Sequence, residues 1–509
     1  MKRVCYLLLI SLPAFGQTMT DRAAARFLDQ ATWGPTPDSI AALEKVGIAG
    51  WLESQFTAKV SDLPDQPILA SDGKRNIDLA PVQAAFFQNT VNGPDQLRQR
   101  VAFILSQIWV VSQVSTRPAY AFPPYWRIFR YNAFQNYRDI VKAVTLSPAM
   151  GRYLNMANNI KANAAKGTAA NENYARELTQ LFTLGLTELN SNGTPVLDST
   201  KHPIPTYNQA VVTNMAKVLT GWTYPTAPGA AAKTNNPEYY FGQMFAVETE
   251  HDTTAKAIFN HLTIPAGQSA EQDLDTLIAD LMEQPTMAPF VSQQLIEHMV
   301  TSNPSADYIQ RVSQVFSSTR GDMKSVIAAI LTDPEARAGD TANAPVNLSF
   351  GHLREPILLL ANMARGLNAT VGATNGLNNH ANELGQNLFK APSVFSYFSP
   401  QNRIEGGLLG PEFQIYSTQT ASDRADLVNT TLYGALDSTT KLDLSPFVTR
   451  AKDMSSLLDY ISYVFLHSSM SSALTQAATS AANAQSTPEA KAQAALYVVL
   501  ASSEYQVVQ

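Results

Sequence analysis

Apolar residues return every three or four positions through most of this chain, and that spacing commits it to helices rather than strands. Leu97, Val101, Ile104, Ile108 and Val111 form one such stripe. Val211, Met215, Val218 and Trp222 form a second, and Leu274, Leu277, Ile278 and Leu281 a third. Leu457, Leu458, Ile461, Val464 and Phe465 form a fourth. Period-two alternation is scarce. Its best stretch is residues 190–206, where Asn192-Gly193 suits a small hairpin, and residues 239–250 are a weaker second. The expected class is all-α (mainly α-helical): a large multi-helix body with a small β-hairpin and long loops.

Helix starts are marked as well. Pro35-Thr36-Pro37-Asp38 offers Asp38 as a cap for a helix beginning at Ser39. Asp333-Pro334-Glu335 and Thr487-Pro488-Glu489 each place proline at a first helical position behind a capping residue. Residues 155–170, 223–238 and 369–411 read as long loops. Residues 468–486, rich in Ala, Ser and Thr, read as an exposed helix or a linker. The expected division is a main helical domain over residues 17–412 and a C-terminal helical extension over 413–509, packed on it.

Hydrophobic residues make up 45% of the 509 and charged residues 15%, which supplies large cores and excludes a mostly disordered chain. The net charge is −6, and removal of Lys2 and Arg3 with a leader takes it to −8. That acidic balance argues against general nucleic-acid binding.

Residues 1–16 read as a signal peptide. Lys2 and Arg3 form a basic start, an apolar run follows, and Ala14-Phe15-Gly16 puts small residues where a signal peptidase reads them. The expected cut falls between Gly16 and Gln17. The run is too short to span a bilayer, so no membrane span is expected after signal removal. Cys5, inside this leader, is the only cysteine. The mature chain therefore has no disulfide, thiolate metal site or cysteine nucleophile. The expected location is exported, periplasmic or secreted.

A longer pattern begins at Asn171-Glu172-Asn173-Tyr174-Ala175-Arg176-Glu177-Leu178 and runs on through Thr179-Gln180-Leu181-Phe182-Thr183-Leu184-Gly185. It resembles the hallmark of the bacterial domain-of-unknown-function-1800 family. Other blocks follow in the family's order. They include Arg26-Phe27-Leu28, Ala31-Thr32-Trp33-Gly34-Pro35-Thr36, Leu219-Thr220-Gly221-Trp222 and His251-Asp252. Residues 295–304 and 330–337, Arg354-Glu355-Pro356, Gly385-Gln386 and Ala391-Pro392-Ser393-Val394-Phe395 complete the series. The resemblance implies a mostly helical exported protein. It also implies a possible partner, a co-encoded exported protein of a second uncharacterised family, number 1501, which looks like a sulfatase relative. It supplies no catalytic residues. Thr179-Gln180 departs from the family's usual Leu-Glu, so a carboxylate expected there is absent.

Candidate chemistry concentrates in these blocks. On a helix from Asn171, Glu172, Asn173, Arg176, Gln180 and Thr183 share one sector, at about 100° per residue. Glu172 and Arg176 are spaced for an ion pair, and Glu177 lies about 140° from Glu172. Glu172, Arg176, Glu177, His251 and Arg354 are the catalytic candidates. Asn171, Asn173, Phe395 and Tyr397 are the binding candidates, the two rings because aromatic loops line sugar or peptide grooves. His251 and Asp252 are weak metal candidates, with Asp252 also placed to cap a helix. His298, on an apolar flank, reads as a core histidine. Glu355 before Pro356 reads as a helix cap with a structural ion pair.

The sequence has no Gly-x-Ser-x-Gly elbow, His-Glu-x-x-His pair, phosphate-binding Gly-Lys-Ser/Thr loop or haem motif. No cofactor is indicated. Two functions stay open. One is a non-catalytic envelope binding or assembly protein acting with the exported neighbour. The other is a hydrolase of an extracellular polymer such as a glycan, using Glu, His and Arg side chains with or without a metal.

Overall fold

The computed structural model describes residues 19–259, 261–341, 347 and 349–508. The expected leader, with Cys5, lies outside them. The structure is 54% helical, and among the described residues the strands form only two-stranded pairs, so the class is mainly α. No helix among the described residues is long and apolar enough to cross a membrane.

The four stripes fold as helices. The first lies on Gln96–Ile108, buried along nearly its whole length, with Val111 just beyond its end. The second lies on Gln209–Val218, and Trp222 passes into a strand. The third lies on Ala270–Glu283, opened by a capping box between Ser269 and Gln272. The fourth runs along Met454–Ile461 and into a π-helical turn, Ser462–Leu466. Asp333 and Thr487 cap their helices as expected. Asp38 does not. Thr36 caps Pro37–Phe56 in a reciprocal box with Ser39, because its hydroxyl reaches the Ser39 amide at 3.2 Å.

Residues 187–205 form a ribbon of isolated bridges, with Asn192-Gly193 at its first turn. Pro195, Pro203 and Pro205 each lack the N–H that would extend the bridges into a ladder. Trp222–Thr223 pairs with Phe245–Ala246, inside the weaker strand candidate. Residues 369–411 are less irregular than expected, since Gly376–Glu383 is a helix there. Residues 468–486 hold the helix Ser472–Asn483, which packs on Pro488–Leu500.

The last strand returns to the middle of the sequence. Val507–Val508 pairs with His352–Leu353, and Tyr505 is fully buried. One continuous core includes Trp33, Phe86, Phe103 and Trp126, whose rings pack edge-on or tilted, and extends to Phe465 and Tyr505. Residues 413–508 are thus woven into the same core as the first helix, Asp21–Ala31.

Candidate functional site

The segment carrying Glu172, Arg176 and Glu177 does not keep α geometry. Asn173–Glu177 is α-helical, and Leu178–Thr183 widens into a π-helix. The Leu184 amide reaches back five residues to Thr179 O at 2.9 Å, and the Thr183 hydroxyl donates to Leu178 O at 2.7 Å. The wider turn rotates the later side chains, so Thr183, expected in the polar sector, is fully buried. Glu172 is locally saturated. It accepts from Gln209 Nε2 and Thr213 Oγ1, each at 2.7 Å, and pairs with Arg176 at 3.3 Å. These contacts, Thr213 foremost, hold its carboxyl below the usual range. Glu177 is partly buried and burial pushes its carboxyl up, with Arg176 opposing. Asn171 and Asn173 clasp the loop: Asn171 N donates to Asn159 Oδ1 at 2.8 Å, and Asn173 Nδ2 reaches Asn155 Oδ1 at 3.3 Å.

His251 sits elsewhere, fully buried. Its Nδ1 lies 3.0 Å from Thr220 O and its Nε2 3.1 Å from Asp273 Oδ2, and Lys256 Nζ reaches the same carboxylate oxygen at 2.7 Å. Gly221 has φ +86°, and a Cβ there would stand 3.0 Å from His251 Cβ, so the Thr-Gly-Trp turn needs its glycine. Asp252 caps no helix. It accepts from the Thr254 amide at 2.9 Å ahead of the strand Lys256–Ile258. Among the described residues no group of three His, Cys, Asp or Glu is placed to hold a metal.

Arg354 is buried in a third place. Its Nη2 meets Asp29 Oδ2 at 2.5 Å, its Nη1 donates to Tyr505 O, and its guanidinium lies 4.8 Å from the Tyr505 ring centre. The five expected catalytic residues therefore share no cleft. Each of Glu172, Arg176, His251 and Arg354 is held by neighbours that account for it structurally.

A different cleft gathers polar groups from three helices and the aromatic loop. Gln107 comes from Gln96–Ile108, and Gln294, Glu297 and His298 from Met287–Met299. Glu412 comes from the short helix Pro411–Ile415, and Phe395 from the aromatic loop. The cavity volume is about 70 Å³, on a scale where one water needs roughly 10–15 Å³. A wider groove of about 610 Å³ runs between Asp21–Ala31 and the C-terminal helices. Its buried His467 Nε2 lies 3.7 Å from Asp29 Oδ2 and has no hydrogen-bond partner.

The smaller cleft has three such atoms on the residues that line it. Glu412 is 6% exposed, and its Oε2 has no hydrogen-bond partner. Its Oε1 faces His352 Nδ1 at 3.4 Å. Gln107, 5% exposed, turns its Nε2 to Glu355 Oε1 at 3.1 Å, which leaves its Oε1 buried and unpartnered. Gln294 gives its Nε2 to Leu181 O at 3.2 Å and leaves its Oε1 in the same condition. Each amide is fixed by an acceptor on its nitrogen side, so the orphaned atom is the oxygen in both. An unsatisfied buried polar group costs roughly 1–3 kcal/mol. Three such atoms belong to residues that line one cleft.

Glu297 accepts from Gln293 Nε2 at 2.7 Å. Burial pushes its carboxyl up to about 7, the Glu412 charge adds to the rise, and Gln293 opposes it. Burial pulls His298 down to about 4, with Arg100 and His352 lowering it further against Glu412. His298 is thus a cleft residue with a neutral ring at neutral pH, not the core histidine its flank suggests. Glu355 makes no cap. Gln386 Oε1 accepts the Ile357 amide at 2.8 Å, while Glu355 faces Arg100 at 3.7 Å behind the cleft.

The aromatic loop divides. Tyr397 is buried and donates to Asn387 O at 2.7 Å, and Phe398 packs beside it. Phe395 stays 44% exposed at the cleft rim. Sequence reasoning found Phe395 and missed Gln107, Gln294, Glu297 and Glu412. The available signal was Glu297-His298 set within Leu295-Ile296 and Met299-Val300, a charge interrupting an apolar run.

Nothing among curated proteins or solved structures matches the chain. The sequence profile described as protein of unknown function (DUF1800) matches residues 26–507, from the first helix to the last strand. With nearly all of its length matched, the chain belongs to the DUF1800 family.

Proposed function

We propose that this protein is an exported, non-catalytic binding protein of the bacterial envelope, which takes part of an extracellular glycan at the cleft beneath Phe395. The observation that carries the reading is the exposed Phe395 ring standing over buried acceptors with no internal donor. A flat apolar ring receives a sugar's C–H face, and the acceptors receive its hydroxyls or other donors. Export is supported by the basic start, apolar run and small-residue exit of residues 1–16. The co-encoded sulfatase-like protein implied by the family resemblance is the proposed partner.

The test is titration of the protein with a panel of oligosaccharides. The reading expects one class to bind, and Phe395→Ala to weaken it at least tenfold without moving the Tm. Binding unaffected by Phe395→Ala would contradict it.

A second reading, glycan hydrolysis, draws support from Glu297. A carboxyl pushed up to about 7 beside a second carboxylate is suited to proton donation. It predicts reducing-end release that Glu297→Gln abolishes while binding persists.

A further inference from the structure

We propose that the cleft floor binds a primary ammonium group, so that the glycan recognised is one whose amino sugars carry free, unacetylated amines. This rests on the glycan reading above and names the group that enters deepest. The three orphaned atoms, Gln107 Oε1, Gln294 Oε1 and Glu412 Oε2, are all acceptors. An ammonium has three N–H donors and no acceptor, which suits such a set better than a hydroxyl, whose own lone pairs would face carboxylate and carbonyl oxygens. The cleft of about 70 Å³ has room for a small polar substituent, and the exposed Phe395 is among its lining residues.

Charge points the same way. The Glu412 charge acts on both Glu297 and Glu355; the arginines facing this group are Arg100, which acts on Glu355 and Glu412, and Arg424, which acts on Glu412. Arg100 lies 3.7 Å from Glu355 and donates to His298 O at 3.1 Å. His352 faces Glu412 at 3.4 Å, and His298 is neutral at neutral pH. When Glu297 ionises, three carboxylates face the two arginines and a ligand cation makes up the difference; the aromatic rim tolerates such a cation. Glu297 holds a proton to about pH 7 in the empty cleft. An arriving ammonium favours its ionised form, so binding releases a proton.

The experiment is calorimetric titration of the protein with a glucosamine tetramer and with the N-acetylglucosamine tetramer. Each is run at pH 7 in two buffers of different ionisation enthalpy. The expected result is at least tenfold tighter binding of the free amine, with net proton release that Glu297→Gln removes. Glu412→Gln and Gln294→Leu, each verified by Tm, should weaken the amine form tenfold and leave the acetylated form within twofold. Equal or tighter binding of the acetylated tetramer would overturn the ammonium assignment and leave the glycan reading standing. Binding of neither tetramer would overturn both. A tetralysine peptide binding as tightly as the amino sugar would show that charge alone is read, and would overturn the sugar assignment.

Discussion

Glu412 turns one carboxylate oxygen to His352 Nδ1 at 3.4 Å and leaves the other buried with no donor in reach. Such a group is satisfied by an ordered water, an ion or a bound partner. Removing the charge while keeping the shape should separate binding from folding. Glu412→Gln is expected to hold stability within about 1 kcal/mol, because only one weak internal contact is altered. It should also bring the Glu297 carboxyl down from about 7, since the Glu412 charge helps to raise it. Chemical denaturation and NMR titration of the Glu297 side chain measure the two effects.

Glu297 itself makes stability depend on pH. Its carboxyl titrates at about 7 in the folded chain against 4.5 ordinarily, so the folded state binds more protons between those values. Its contribution is full below pH 4.5 and is lost as pH rises through 7. Glu297→Gln should therefore be more stable than the parent above pH 7, by on the order of 2 kcal/mol, and similar to it below the ordinary range. Urea melts at pH 4.5 and 8 measure the difference.

His298 and His467 act with the opposite sign. Burial lowers both from 6.5 to about 4, so the unfolded chain binds more protons between those values. Stability from these residues rises with pH across that window and is absent below it. His467→Gln should flatten the rise without affecting ligand binding, because His467 lies outside the cleft. A pH series of denaturant midpoints checks it.

The buried group of His251, Asp273 and Lys256 is read as structure. Asp273→Asn strands the Lys256 ammonium without its counter-charge and should cost about 3–5 kcal/mol. Its Asp273 Oδ2 contacts are 2.7 Å to Lys256 and 3.1 Å to His251, with all three side chains shut from solvent. Replacing Lys256 and Asp273 together with Met and Leu should recover most of the loss. A double variant that regains its Tm yet loses ligand binding would contradict the structural assignment.

The first and last parts of the chain depend on each other. Arg354 joins Asp29 of the first helix to Tyr505 O near the end. Asp29→Ala, or deletion of residues 503–508, should each cost about 3–5 kcal/mol, because either leaves the guanidinium buried and short of partners. Parent-like melting of the truncated chain would show that the end is an appendage instead.

Helix positions were legible because burial of one face forces apolar residues to repeat with the turn. The stripe Leu274, Leu277, Ile278 and Leu281 is an example, and all four are buried. The π-turn after Glu177 was not legible, since it arises from side-chain hydroxyl bonds and packing around Thr179 and Thr183 that a fixed angle per residue ignores. Thr36 rather than Asp38 caps its helix because hydroxyl reach decides, and two polar neighbours look alike in a sequence. Phe395 was visible as one ring in an aromatic loop. Its cleft was not, because Gln107, Gln294, Glu297 and Glu412 come from three distant helices and form no local motif. Gln107, Gln294 and Glu412 are marked by one buried oxygen each that has no partner, a property of three dimensions alone.

The most direct measurement is a crystal structure of the protein soaked with a glucosamine oligomer. The account places a sugar ring against Phe395, with its amine nitrogen within hydrogen-bond distance of Glu412 Oε2 and the amide oxygens of Gln107 and Gln294. A sugar bound instead at Glu172, His251 or the groove beside His467, with the cleft unchanged, would contradict it.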